Sequence, residues 1–200
     1  PAFGYAASCF SITRTVEAGE TAQFEVVFFT GETAASGTEL LRQQEMRLAA
    51  LEKKAGFADP AASRLAAAAD AFIARRANGK TILAGYPLFS DWGRDTMIAL
   101  PGCCLETGRY EDAKSILRTF LAYEKDGLVP NLFPEGAQKP MYNTVDAALL
   151  LIEGVWLYIQ RSGDHAFLHE AYPVMERIIA AYRKGTHHGI RMDADGLITA

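Results

Sequence analysis

Gly85-Tyr86-Pro87-Leu88-Phe89-Ser90-Asp91-Trp92-Gly93-Arg94-Asp95-Thr96-Met97 sets flat aromatic faces beside an adjacent donor fork and carboxylate. Tyr86, Phe89 and Trp92 offer stacking surface, while Pro87 and the two glycines restrict the backbone between them. Arg94 carries five donors in a rigid plane, and Asp95 carries acceptors only. A sugar ring needs this mixture, because it presents apolar C–H faces and neighbouring hydroxyls that both donate and accept. The same residues also suit a buried structural loop, with Arg94 paired to a carboxylate and the aromatics in a core. Asp91 and Asp95 each have a second reading as helix N-caps. Trp92 reads equally as a pocket wall or a core residue.

Working outward, the chain is mainly helical in pattern. Glu39 to Lys54 places Leu40, Leu41, Leu48 and Leu51 at helical spacing and stops at Gly56. Asp59-Pro60 starts a second helix with a capping acceptor and a proline at its first position, and the pattern runs on to Arg76 before Asn78-Gly79. Asp95 to Glu106 is a third helix, kinked by Pro101 and ended by Gly108. Tyr110 to Glu124 gathers Ala113, Ile116, Leu117, Phe120 and Leu121 on one face. Thr144 is placed as the cap of a helix ending near Arg161, and His165 to Lys184 forms the last. Ahead of these, Phe10 and Ile12, then Phe24, Val26 and Phe28, alternate about a turn at Glu17-Ala18-Gly19-Glu20 and predict a hairpin. The short turns at Gly108 and Ser162-Gly163 alternate with long loops at 79–94 and 127–143. This layout brings the long loops to one end of paired helices.

The motif resembles the signature of the amylo-alpha-1,6-glucosidase part of the glycogen debranching enzyme family. There it typically reads Gly-Tyr-Pro-Trp-Phe, a small residue, then Asp-Trp-Gly-Arg-Asp-Thr-Met-Ile. A second block, Gly127-Leu128-Val129-Pro130-Asn131-Leu132-Phe133-Pro134-Glu135-Gly136, is followed by Tyr142-Asn143-Thr144-Val145-Asp146-Ala147. It is similar to the family's Gly-(Leu/Ile)-Ile-Pro-Asn and Tyr-Asn-Thr-(Val/Ala)-Asp-Ala segments. Leu88 departs from the usual Trp and removes one stacking contact. The resemblance covers roughly residues 80 to 200.

That resemblance implies a mostly α fold, part of an (α/α)6 toroid preceded by the last strands of a β-sandwich. The implied domains are 1–30, the end of the sandwich; 31–37, a linker; and 38–200, the N-terminal half of the toroid. It implies hydrolysis of α-1,6-linked glucose at branch points of glycogen or a related α-glucan, with Tyr86, Phe89, Trp92, Arg94, Asp95, Asn131, Asn143 and Asp146 binding substrate. Inverting enzymes of this kind use a carboxylic acid and an opposing carboxylate about 6.5–9.5 Å apart. By resemblance both carboxylates are expected beyond Ala200, so the 200 residues are expected to be an inactive fragment. The alternative is a non-catalytic helical carbohydrate-binding or scaffold protein. A trehalase-like toroidal glycosidase fits the Tyr86-Pro87 and Tyr142-Asn143-Thr144 blocks less well.

Composition sets outer limits. Apolar residues make up 50% and charged residues 22%, which suits a packed globular chain. A net charge of −4 gives no general attraction to nucleic acid or anionic membrane. No apolar run approaches the ~20 residues of a membrane helix. Cys9, Cys103 and Cys104 make no disulfide framework, which favours a cytoplasmic location. No cofactor and no metal site is expected. His187 and His188 lack a suitably spaced third ligand, His165 and His169 lack the intervening Glu of a zinc helix, and both pairs read as surface. The sequence leaves the oligomeric state open.

Overall fold

The computed structural model describes residues 11–27, 35–86, 88–133 and 139–200. Cys9, Phe10, Phe28, Pro87 and Glu135 fall outside these. The fold is mostly helical, and the chain divides into two compact units, Pro1–Arg47 and Leu48–Ala200.

In the first unit the Glu17–Glu20 turn forms as expected, with the Glu20 N–H donating to the Glu17 carbonyl at 3.0 Å. The expected hairpin is only partly covered by the described residues, since Phe10 and Phe28 lie outside them; residues 11–27 contain no strand, and Ile12, Phe24 and Val26 are exposed. An alternating pattern yields strands only where a sheet buries one face and pairs the backbone. Helix α1, Gly37–Ala55, begins in this unit. Its first N–H groups are satisfied from a distance, because the Glu25 carboxylate accepts from Gly37 N at 2.8 Å and Thr38 N at 3.2 Å.

The second unit continues with α2, Pro60–Ala69, which starts as the sequence predicts. The Asp59 carboxylate accepts from Ala62 N at 2.8 Å, and Pro60 occupies a position that needs no donor. This helix stops at Ala69 and does not run on to Arg76. A 3-10 turn, Asp70–Phe72, leads into an antiparallel hairpin of β1, Ile73–Arg76, and β2, Gly79–Ile82. The alternation of buried Ile73 and exposed Arg75 serves a strand as well as a helix end, and pairing with Thr81 and Ile82 decides it.

Four helices make the body: α3, Gly93–Leu100; α4, Tyr110–Ala122; α5, Asp146–Ser162; and α6, His165–Lys184. Helix α3 continues into a π turn, Pro101–Leu105, where Glu106 N donates to the Pro101 carbonyl. The expected kink at Pro101 is therefore a widened turn, which absorbs the missing proline N–H. The predicted apolar face of α4 is buried, and Met97, Leu100, Leu151, Val155, Phe167 and Ile178 complete the core around it. Gly154 of α5 makes the close packing possible: a Cβ there would lie 3.3 Å from Leu117 Cδ2 and 3.6 Å from Met97 Sδ. Helices α3 and α5 pack together and run the same way, their starts joined by Arg94–Asp146 and the segments at their ends by Glu106–Arg161, while α4 and α6, whose C-terminal ends reach Tyr142 and Val145 ahead of α5, run oppositely and also pack on α5. The short turns thus lie at one end, and the loops before α3, after α4 and after α6 at the other. Beyond α6, β3, Arg191–Met192, pairs with β4, Ile198–Thr199, across the expected Asp193–Gly196 turn.

Two ionic clusters lock the short-turn end. Arg109 is buried between Asp70 and Asp112, at 2.7 Å from each. Removing a buried ion's partner leaves an uncompensated charge, so Arg109→Ala should cost about 3 kcal/mol or more. For a unit of this size that lowers the melting temperature by about 6–12 °C. Melting followed by circular dichroism checks it, and a shift below 2 °C would show that the site is solvated.

Asp164 caps α6 by accepting from Phe167 N at 3.0 Å, and it also accepts from Lys114 Nζ at 2.6 Å and Tyr158 Oη at 2.9 Å. Lys114 and the Phe167 N–H hold its carboxyl down at about 2. A depressed carboxyl stabilises the fold above its unfolded value of 3.8, and that contribution disappears as pH falls through 2. Asp164→Asn keeps a competent cap and removes only the charge. The wild-type melting temperature should therefore fall further than that of Asp164→Asn between about pH 5 and pH 2.5. Parallel curves would remove Asp164 from the acid response.

Candidate functional site at the helix N-termini

The segment before α3 is held by backbone bonds and one buried carboxylate. Ala84 N donates to Ser90 O at 2.9 Å and Phe89 N to Gly85 O at 2.8 Å, which closes a compact loop. Asp91 is 1% exposed and accepts from Arg76 Nη1 at 2.9 Å and Thr81 Oγ1 at 3.1 Å. Arg76 also donates to the Phe133 carbonyl at 3.2 Å and lies over the Phe133 ring. The capping role expected for Asp91 is thus corrected: it ties the hairpin to the motif loop. Helix α3 has Trp92 at its N-cap position, with no side-chain cap bond.

The cap comes instead from the second loop. Gly93 N donates to the Asn131 carbonyl at 2.8 Å, and Arg94 N donates to Asn131 Oδ1 at 3.3 Å. Asn131 N donates to Met141 O, and Leu132 bridges both Trp92 and Met141. Gly93 is required by space here: a Cβ would lie 2.2 Å from the Pro130 carbonyl oxygen. Both blocks singled out in the sequence therefore meet at one seam.

Above that seam the Arg94 side chain is about half exposed, and its Nη1 reaches Asp146 Oδ2 at 3.2 Å. Asp146 is the first residue of α5, where a helix N-terminus favours an acidic group. Thr144 does not cap this helix. The N-cap position is Val145, again without a side-chain bond, and the Thr144 hydroxyl has no partner. The start of α5 is fixed by Tyr182 Oη of α6, which donates to the Val145 carbonyl. Burial, reinforced by the Asp146 charge, pushes the Tyr182 hydroxyl up to about 12, so it stays a donor. Tyr142 Oη donates to Tyr123 O at 2.9 Å and pins the approach to α5.

These groups wall a cleft of about 470 Å³ formed by Arg94, residues 142–146, His188, Ile190 and Ala200. Of the residues expected to bind a ligand, Arg94, Asn143 and Asp146 share this cleft. Asn131 lies buried beneath it as a cap, and Asp95 is exposed on the first turn of α3. Trp92 is half-buried at the seam, against the edge of Phe89. Tyr86 sits to one side, its hydroxyl donating to Ala71 O at 2.8 Å and its ring against Phe72. Tyr86 and Phe89 do not line the cleft. His188 does, although the sequence reads only as a surface turn; its place on the long-loop end after α6 is the signal that could have found it.

A larger cleft of about 590 Å³ lies between the β1–β2 hairpin and α4. Its cations are already committed, Lys114 to Asp164, Arg118 to Glu170 and Arg76 to Asp91. The smaller cleft keeps polar atoms in reserve and is the better site. Among the described residues no group of three His, Cys, Asp or Glu could hold a metal ion. Nor is any helix there long and apolar enough to cross a membrane. Burial raises the Cys104 thiol to about 12, which makes it an inert core group.

The seam can be tested through Gly93. Gly93→Ala forces the Pro130 carbonyl away and should destabilise by about 1–3 kcal/mol, as overpacked sites do. Thermal melting measures this, and an unchanged midpoint would mean that the two loops part freely.

Both blocks that build the cleft lie inside a longer similarity. A stretch of 96 residues is 38% identical to the glycogen debranching enzyme of Saccharomyces cerevisiae, covering 46% of this chain and 6% of that enzyme. The profile of the amylo-alpha-1,6-glucosidase family matches residues 67–200, which takes in the hairpin, the body of helices and the cleft, and the chain belongs to that family.

Proposed function

We propose that the cleft binds the single glucose of an α-1,6 branch in glycogen or a related α-glucan, as part of a debranching-type glucosidase. The observation that carries this is the Arg94 fork set across from Asp146 between two loops, in a chain of this family. One guanidinium nitrogen is engaged by Asp146, and the half-exposed fork keeps further donors for neighbouring hydroxyls. Asn143 adds an amide at the rim, and Asp95 an acceptor on the exposed first turn of α3. We assign these residues to binding rather than proton transfer. Asp146 faces a guanidinium, which suits an acceptor, and Asp95 stands exposed on the first turn of α3. The acid and base of the hydrolysis are assigned to no residue of this chain.

The larger architecture follows the same reading. Parallel α3 and α5 side by side, with oppositely directed α4 and α6, support the N-terminal part of an (α/α)6 toroid over 38–200. Residues 1–30 would then belong to a β-sandwich and 31–37 to a linker. The free thiols of Cys103 and Cys104 accord with a cytoplasmic enzyme of glycogen breakdown. The second reading is a binding module without chemistry, which would share the cleft and its glucose affinity.

Arg94→Lys tests the cleft. It keeps the charge and loses the planar fork. A hydrogen bond to a charged group contributes about 1.5–3 kcal/mol, so glucose affinity should fall by about one to two decades. The Arg94–Asp146 pair that it alters is solvent-exposed and stabilises by about 1 kcal/mol at most. Melting should shift little while titration with glucose shifts strongly. Unchanged affinity with a lowered melting point would make Arg94 a structural residue and end the sugar-cleft reading.

A further inference from the structure

Buried polar side-chain atoms normally find partners, and each exception calls for a reason. Among the described residues three buried side-chain oxygens have none: Thr144 Oγ1, Asp146 Oδ1 and Thr186 Oγ1. Thr144 and Asp146 line the same cleft. Thr186 opens the turn that brings His188 and Ile190 to it, with its N–H donating to the Ile190 carbonyl at 2.8 Å. Unmatched polarity is therefore gathered in the two segments that wall one site.

Thr144 is the informative member. A threonine just before a helix ordinarily gives its oxygen to a free helix N–H. Here the α5 cap position has passed to Val145, so the hydroxyl does no capping. A buried hydroxyl without a partner destabilises the ligand-free fold. Such a hydroxyl, at the wall of a cleft, is matched only when a partner arrives from outside. Thr144 offers a donor and Asp146 Oδ1 an acceptor, two residues apart on one segment beside the Arg94 fork. The complement is a group that accepts next to a group that donates, as two adjacent ring hydroxyls do. An ionised carboxylate has no proton for Asp146 Oδ1, and a phosphate, like it, would bring its own negative charge against that carboxylate.

We infer that Thr144 is a specificity-determining residue of the cleft, its hydroxyl donating to one hydroxyl of a bound neutral hexose while Asp146 Oδ1 accepts from the neighbouring hydroxyl. This rests on the sugar-cleft reading above and names the atoms that select the ligand.

The test compares wild type, Thr144→Val and Thr144→Ser by calorimetric titration with glucose and by thermal melting without it. Valine keeps the shape and removes the hydroxyl; serine keeps the hydroxyl. Thr144→Val should bind glucose about tenfold more weakly, the effect of one hydrogen bond. Its ligand-free melting temperature should be equal to wild type or higher, because an unmatched polar atom is gone. Thr144→Ser should bind within about twofold of wild type, since the donor is retained. Wild-type affinity in Thr144→Val overturns the assignment and leaves the cleft reading standing. A valine variant that loses both affinity and melting temperature makes the hydroxyl structural and also overturns it. No saturable glucose binding by the wild-type protein overturns the cleft reading and this inference together.

Discussion

The start of α3 presents backbone N–H groups that its own N-cap residue, Trp92, does not satisfy. Asn131 satisfies two of them from a loop some forty residues further on, with its carbonyl on Gly93 and its side-chain oxygen on Arg94. An unmatched buried donor costs about 1–3 kcal/mol, so the loop after α4 and the motif before α3 form together or not at all. The remainder of the site depends on this. It fixes the Arg94 backbone, and hence the direction of the guanidinium that meets Asp146. It also explains Gly93, since no side chain fits beneath the Pro130 carbonyl.

The motif's charges divide by burial into two kinds of work. Asp91 is removed from water and held by Arg76 and Thr81, so its carboxylate is spent on joining the hairpin to the loop. Arg94 and Asp146 remain roughly half and a third exposed, where an ion pair stabilises little and is easily rearranged. Only Trp92 and Gly93 separate a fixed carboxylate from an available fork. Composition cannot make that distinction, because both are acid or base residues in one short run; only the neighbouring β1–β2 hairpin, which supplies Arg76 and Thr81, does so.

This explains which features could be read from the chain. Local signals held where one residue's chemistry suffices: Asp59-Pro60 starts a helix, and the apolar face of α4 is buried. The Gly127–Asn131 and Tyr142–Asp146 blocks could be linked to the motif because both carry sugar-type groups on long loops. What failed depended on distant partners. Ile73 to Arg76 reads as a helix end until it pairs with Gly79 to Ile82, and Thr144 reads as a cap until Tyr182 sets the start of α5 one residue later. Residues 11–27 have the alternation of strands, yet no strand forms within them, because alternation alone supplies no backbone partner. His188 carries no local mark, since only the end of α6 places it at the cleft.

Helix direction adds the last constraint on what the cleft accepts. Helices α3 and α5 both begin at this end, so their partial positive ends favour acidic groups there, and Asp95 and Asp146 occupy those first turns. With Arg94 as the cation in the wall, formal charge at the cleft comes close to balance rather than to an excess of positive charge. A free helix N-terminus commonly attracts phosphate, but here protein carboxylates already answer that field. The wall therefore offers directional donors and acceptors without net attraction for an anion. That combination supports the proposed ligand, a neutral polyhydroxy ring whose hydroxyls would satisfy both kinds of group and whose binding would bring no charge to desolvate.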